Sequence, residues 1–114
     1  MSSIEIYIKN LNNQLNININ LSENKIKINS KEKNVTNVQI DNLFRIIRTW
    51  NKNYYKDNTI DEEKFIIKIV TDNEIDIING KGSYPENYNE FKKWIGEFND
   101  WNNVKKIKTN WINN

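Results

Sequence analysis

Across 114 residues the chain uses asparagine 24 times, isoleucine 20 times and lysine 15 times, and it has no alanine, cysteine or histidine. Those absences exclude a disulfide framework, a thiolate nucleophile, a Cys/His zinc site and any histidine-based acid–base pair or triad. The net charge of +2 divides into +4 over residues 1–60 and −2 over residues 61–114, too mild a balance to demand a nucleic acid or an anionic membrane as partner.

Ile4, Ile6 and Ile8 alternate with Glu5, Tyr7 and Lys9, the period of a half-buried strand. After a turn at Asn10–Asn13, Leu15, Ile17, Ile19 and Leu21 alternate with Asn16, Asn18 and Asn20. Ser22 to Asn24 turn the chain again, into Ile26 and Ile28 alternating with Lys25 and Lys27. These three segments predict an antiparallel meander with one apolar and one polar face. The period then changes. Ile40, Leu43, Ile47, Trp50 and Tyr54 fall at helical spacing. Thr36 with Gln39 forms a capping box, and Val35 with Ile40 occupies the two positions of a hydrophobic staple. This helix is expected to end near Asn51–Asn53, followed by a polar loop over residues 55–61.

Lys64 to Val70 reads as a central strand rich in β-branched residues, Thr71–Asn73 as a turn, and Glu74 to Ile78 as a returning strand. Asn79–Gly82 is expected to be a loop. Ser83 with Glu86 reads as a second capping box, with Pro85 in the first turn of a helix carrying Tyr88, Phe91, Trp94, Ile95 and Phe98. Residues 100–114 are expected to be a weakly defined tail or a short terminal helix. The order βββ-α-ββ-α predicts one α+β domain over residues 1–114, a mostly antiparallel five-stranded sheet with two main helices on one face. The periodic placement of the 37% hydrophobic residues argues against the disorder that asparagine-rich composition can signal. Asn, Ile and Lys are residues of AT-rich codons, which suggests a low-GC bacterium or its phage. The N-terminal MSSIEIYIKN has no leader pattern, and no apolar run approaches the roughly 18 residues of a spanning helix, so a cytoplasmic protein with no membrane partner is expected.

From Arg45 to Ile95 the chain resembles a group of small, mostly uncharacterised proteins of Firmicutes and their mobile elements. The residues that carry the resemblance are Trp50 near a helix end, Tyr54 after it, Asp61 closing a loop, and a strand with Phe65, Ile67 and Ile69. A Gly-x-Tyr-Pro-x-Asn turn (Gly82, Tyr84, Pro85, Asn87) then opens a helix with Phe91 and Trp94. The resemblance implies a strand hairpin, turn and helix, and it implies no activity. Here Asp61-Glu62 stands where many such proteins have Asp-Gly.

Four sets of residues could carry chemistry, each beside a plainer explanation. The polar sheet face holds Tyr7, Lys9, Asn16, Asn18, Asn20, Lys25 and Lys27. Tyr among Asn and Lys has the composition of an interface, although a solvated face would look the same. Arg45, Arg48, Lys105, Lys106 and Lys108, with Trp101 and Trp111, could bind single-stranded nucleic acid through stacking and phosphate contacts, or the tryptophans could belong to the core. Gly80, Lys81, Gly82 and Ser83 could hold an anion at a helix N-terminus, although they match no phosphate-loop spacing and glycines serve a plain turn equally well. Carboxylates at Asp57, Asp61, Glu62 and Glu63, and at Asp72, Glu74 and Asp76, could bind a cation. The first group lacks the central glycine of a calcium loop and has Lys68 at the bidentate position, so solvated loop charges, no metal and no cofactor are expected.

The reading that follows is a protein that is not an enzyme and binds another protein, an effector, nuclease or toxin, by steric occlusion. That is the profile of an anti-CRISPR-like phage inhibitor or a toxin-immunity protein. A nucleic-acid binder and a small-anion or nucleotide binder are the alternatives.

Overall fold

Apolar residues at every second position commit the N-terminal third to strands, because neighbouring side chains of an extended backbone leave on opposite faces. The computed structural model describes residues 2–10, 12–56 and 63–98. In chain order its elements are β1 (Ser3–Lys9), β2 (Gln14–Asn20), β3 (Lys25–Ile28), β4 (Lys31–Asn34), α1 (Asn37–Ile47), β5 (Asn53–Tyr55), β6 (Lys64–Val70), β7 (Ile75–Lys81) and α2 (Tyr88–Gly96). The strands form one sheet in the order β4-β3-β2-β1-β6-β7-β5. Every neighbouring pair is antiparallel except β5 and β7, which run parallel.

The α+β class with two helices is as expected, but the sheet has seven strands and is mixed, where five antiparallel strands were expected. Both added strands lie at its edges. β4 (KEKN) carries no apolar residue and is exposed throughout, so it gives no alternating signal. Its charges protect the edge from pairing with another chain. β5 has three residues, and its Tyr54 extended an apparently helical stripe. α1 in fact stops at Ile47, capped by the Arg48 N–H donating to the Phe44 carbonyl. Trp50 remains buried because the following turn folds it back onto the core.

The core lies between the helices and one sheet face. Across the strands that face reads Ile4–Ile69, Ile6–Ile67–Ile78 and Ile8–Phe65–Gly80, continued on β2 and β3 by Leu15, Ile17, Ile19, Ile26 and Ile28. α1 contributes Ile40, Leu43, Ile46 and Ile47, and α2 contributes Tyr88, Phe91, Trp94 and Ile95. Each fully buried side chain of this size stabilises by roughly 1.5–3 kcal/mol relative to exposure. The predicted capping box is present in both directions: the Gln39 N–H donates to Thr36 Oγ1 at 3.1 Å, and the Thr36 N–H to Gln39 Oε1 at 2.9 Å. The staple residues Val35 and Ile40 are both buried. The Trp94 indole ties the helices together by donating to the Gln39 carbonyl at 2.8 Å.

Asparagine does specific work in the turns. Asn10 Oδ1 accepts from the N–H groups of Asn12 and Asn13, and Asn20 Oδ1 accepts from those of Ser22 and Glu23. Asn24 and Asn29 adopt positive φ (54° and 55°), a left-handed conformation that asparagine tolerates better than most residues.

Candidate functional site

Because the side-chain period of a strand is two, burying one face of the sheet places the alternate residues on the other. Both helices cover the Ile/Phe face, and among the described residues no helix covers the second face, called the open face below. In rows across the strands it reads Gln14–Lys9–Lys64–Lys81–Tyr55, then Asn16–Tyr7–Ile66–Asn79–Asn53, then Glu32–Lys27–Asn18–Glu5–Lys68–Ile77, then Asn34–Lys25–Asn20–Ser3–Val70–Ile75. Tyr7, Lys9, Asn16, Asn18, Lys25 and Lys27, the residues singled out on the polar strands, therefore share this face. A shallow hollow of about 290 Å³ opens among Tyr7, Asn16, Asn18, Lys27, Ile66 and Lys68.

The face extends over β6, β7 and β5, a half the sequence reading missed. Ile66 is half-buried beside Tyr7, and Ile77 (47% exposed), Ile75 (58%) and Tyr55 (70%) stand out toward solvent. A second hollow of about 520 Å³ lies among Tyr55, Lys64, Ile66, Ile77 and Lys81. The described strand residues of the face include six lysines (9, 25, 27, 64, 68 and 81) against Glu5 and Glu32, a net +4 on a chain whose total is +2. Tyr7 and Ile66 lie near the middle of this charged face, and its exposed apolar residues Ile75, Ile77 and Tyr55 lie toward the β7–β5 edge.

The remaining candidates are dispersed. Gly80 and Lys81 are strand residues of β7, which corrects the expected Asn79–Gly82 loop. Gly80 is there because Phe65 crosses it: a Cβ at that position would lie 2.8 Å from Phe65 Cζ and 3.0 Å from Tyr54 Cβ. Gly82 takes φ 77°, and its N–H donates to Tyr84 Oη. The Ser83/Glu86 capping box does not form. α2 begins at Tyr88 with Asn87 as its N-cap, so the Gly80–Ser83 segment does not open the helix. The Asn87 side chain is used elsewhere, accepting from the Trp50 indole at 2.6 Å and donating to the Ile46 carbonyl at 3.0 Å. On the helix layer, exposed Arg45 pairs with Glu90 of α2 at 3.0 Å, and Arg48 is the exposed C-cap of α1. Lys105, Lys106 and Lys108, with Trp101 and Trp111, lie outside the described residues, as do Asp57, Asp61 and Glu62.

Glu63 is described, and its role differs from that of a loop charge. Its carboxylate accepts from Tyr88 Oη, from Lys92 Nζ at 2.9 Å and from Asn10 Nδ2 at 3.3 Å, while its carbonyl accepts from Tyr84 Oη at 2.6 Å. Tyr84 and Tyr88 stack with centroids 4.8 Å apart. Burial, then the neighbouring Glu63 charge, pushes the Tyr88 hydroxyl far above its ordinary value of 10.0. This cluster joins the start of β6 to α2 and to the β1–β2 turn, so its polar groups serve the fold. Among the described residues no group of three His, Cys, Asp or Glu could hold a metal ion, and no helix is long and apolar enough to cross a membrane.

Comparison with models of known protein families gave no match, and the search of curated proteins found none similar in sequence.

Proposed function

We propose that the chain is a non-catalytic binding protein whose working surface is the open sheet face, and that it acts in the cytoplasm by covering an acidic surface of another protein. The observation that supports this most is the charge and composition of that face: Tyr7 and Ile66 at the centre, exposed Ile75, Ile77 and Tyr55 to one side, and a net +4 concentrated there while the rest of the chain sums to −2. Such a face favours an acidic partner and disfavours basic ones, since like-charge juxtaposition suppresses wrong complexes. The partner class is an effector, nuclease or toxin. Short, motif-free chains written in AT-rich codons are of the kind that phages use against defence systems, as anti-CRISPR-like inhibitors, or that bacteria use as toxin-immunity proteins.

The test is co-purification from the native cell at physiological salt, with variants on either side of the sheet. Tyr7→Ala combined with Lys27→Glu is expected to abolish a stoichiometric protein complex, while Arg48→Glu on the helix layer leaves it intact. Loss on Arg48→Glu alone, or co-purification of nucleic acid in place of protein, would reject the reading.

A further inference from the structure

Within the open face, the lysines are not placed alike. Register sets Lys68 opposite Glu5 and Lys27 opposite Glu32, so each glutamate of the face has a lysine across from it. Lys25 donates to Asn34 Oδ1 at 2.6 Å. Lys9, Lys64 and Lys81 have neither arrangement. They lie directly across from one another on three neighbouring strands, with Gln14 at one end of the row and Tyr55 at the other. All three are exposed, and none forms an ion pair with a described residue. Cross-strand Cβ atoms are about 5 Å apart, and like charges so placed destabilise a sheet. Nothing among the described residues offsets that repulsion with an opposite charge. The 520 Å³ hollow of Tyr55, Ile66 and Ile77 adjoins it.

We infer that the Lys9–Lys64–Lys81 row is the anchor for an extended acidic polypeptide segment of the partner. Alternate carboxylates of the segment meet the row, and an aliphatic side chain next to them enters the hollow. The inference rests on the binding role proposed for this face and names which part of it supplies the charge recognition. The floor beside the lysines is Ile66 and Ile77, which suits an aliphatic side chain. A single-stranded nucleic acid would instead stack successive bases on a series of exposed rings, and Tyr55 is the one exposed ring among the residues lining this hollow. The ordinary driving force is charge-assisted contact in a partly desolvated hollow, screened by salt.

The probe is a fluorescently labelled peptide, Glu-Thr-Glu-Thr-Glu-Leu, titrated with the full chain at low salt and followed by anisotropy. A glutamine-for-glutamate peptide and an oligothymidylate are run alongside. The acidic peptide is expected to bind, with affinity falling as salt rises, and the glutamine peptide not to bind. Lys64→Gln should weaken binding about threefold, the scale of one exposed charge pair. The triple variant Lys9→Gln, Lys64→Gln, Lys81→Gln should weaken it about tenfold or more, while Lys25→Gln leaves it within error. Relief of repulsion should also raise the Tm of Lys64→Gln by about 2 °C. A Lys25→Gln loss equal to that of Lys64→Gln, tighter Lys64-dependent binding of the oligothymidylate, or a fall in Tm for Lys64→Gln would each overturn the inference. If no peptide binds while Tyr7→Ala with Lys27→Glu still abolishes the cellular complex, the row is wrong and the face is right. If that complex also survives, both readings fall.

Discussion

The two faces of this sheet are built by the same strands from alternate residues, and they differ in almost every physical respect. On the helix-covered face, Ile4, Ile19, Phe65 and Ile67 are at 0% exposure and the indoles of Trp50 and Trp94 have found hydrogen-bond partners. On the open face, lysines stand opposite lysines and isoleucines stand in water. Register has therefore separated the residues that build the core from those on the face proposed to bind. A change on the covered face should act through folding, where each methylene counts because interiors are close-packed. A change on the open face should act through recognition and leave folding nearly untouched. That separation can be attacked from both sides.

The largest effect is expected at Phe65, which is fully buried and ringed by Trp50, Tyr54, Tyr84 and Tyr88. Phe65→Ala should cost about 3–5 kcal/mol in urea unfolding, a large share of the stability of a typical domain. Gly80→Ala comes next, at about 1–3 kcal/mol, because the new methyl overlaps the Phe65 ring and the edge of Tyr54. A smaller and pH-dependent effect belongs to Tyr88. Its raised value means that the folded state holds the phenolic proton more tightly than the unfolded chain does. The stability this provides is complete below the ordinary value of 10.0 and declines as pH rises above it, by about 1.4 kcal/mol per pH unit. Unfolding measured between neutral pH and strong alkali should show that decline in the parent and a shallower one in Tyr88→Phe. The smallest effects belong to the open face. Ile77→Thr and Asn18→Thr should each change stability by no more than about 0.5 kcal/mol, and a loss comparable to that of Gly80→Ala would erase the distinction between the faces.

How much of this was legible in the sequence follows from which signals are local. The meander over Ile4–Ile28 and the start of α1 at Thr36 were readable because period two and a capping box are written within a few residues. β4 was not, since an edge strand buried on neither face needs no apolar residue. The end of β7 was hidden for the opposite reason: Asn79 and Gly80 look like a loop, and the demand for glycine comes from Phe65 on the neighbouring strand. The Glu63 cluster depends on Asn10, Tyr88 and Lys92, which lie 53, 25 and 29 residues away, beyond any pattern a window can see. Half of the open face was legible as Tyr7, Asn and Lys alternating with Ile and Leu. The other half was obscured because the two apolar pairs of Lys64–Val70 suggest a central strand covered on part of both faces, when its Ile66 and Lys68 look out beside Tyr7 and Glu5.

The most direct test of the central claim places a photo-crosslinking phenylalanine analogue at Tyr7 in one variant and at Asn42, exposed on α1, in another, and irradiates each in the native cell. The account predicts a discrete protein adduct from position 7 and none from position 42. An adduct from position 42 alone, or nucleic acid captured at position 7, would contradict it.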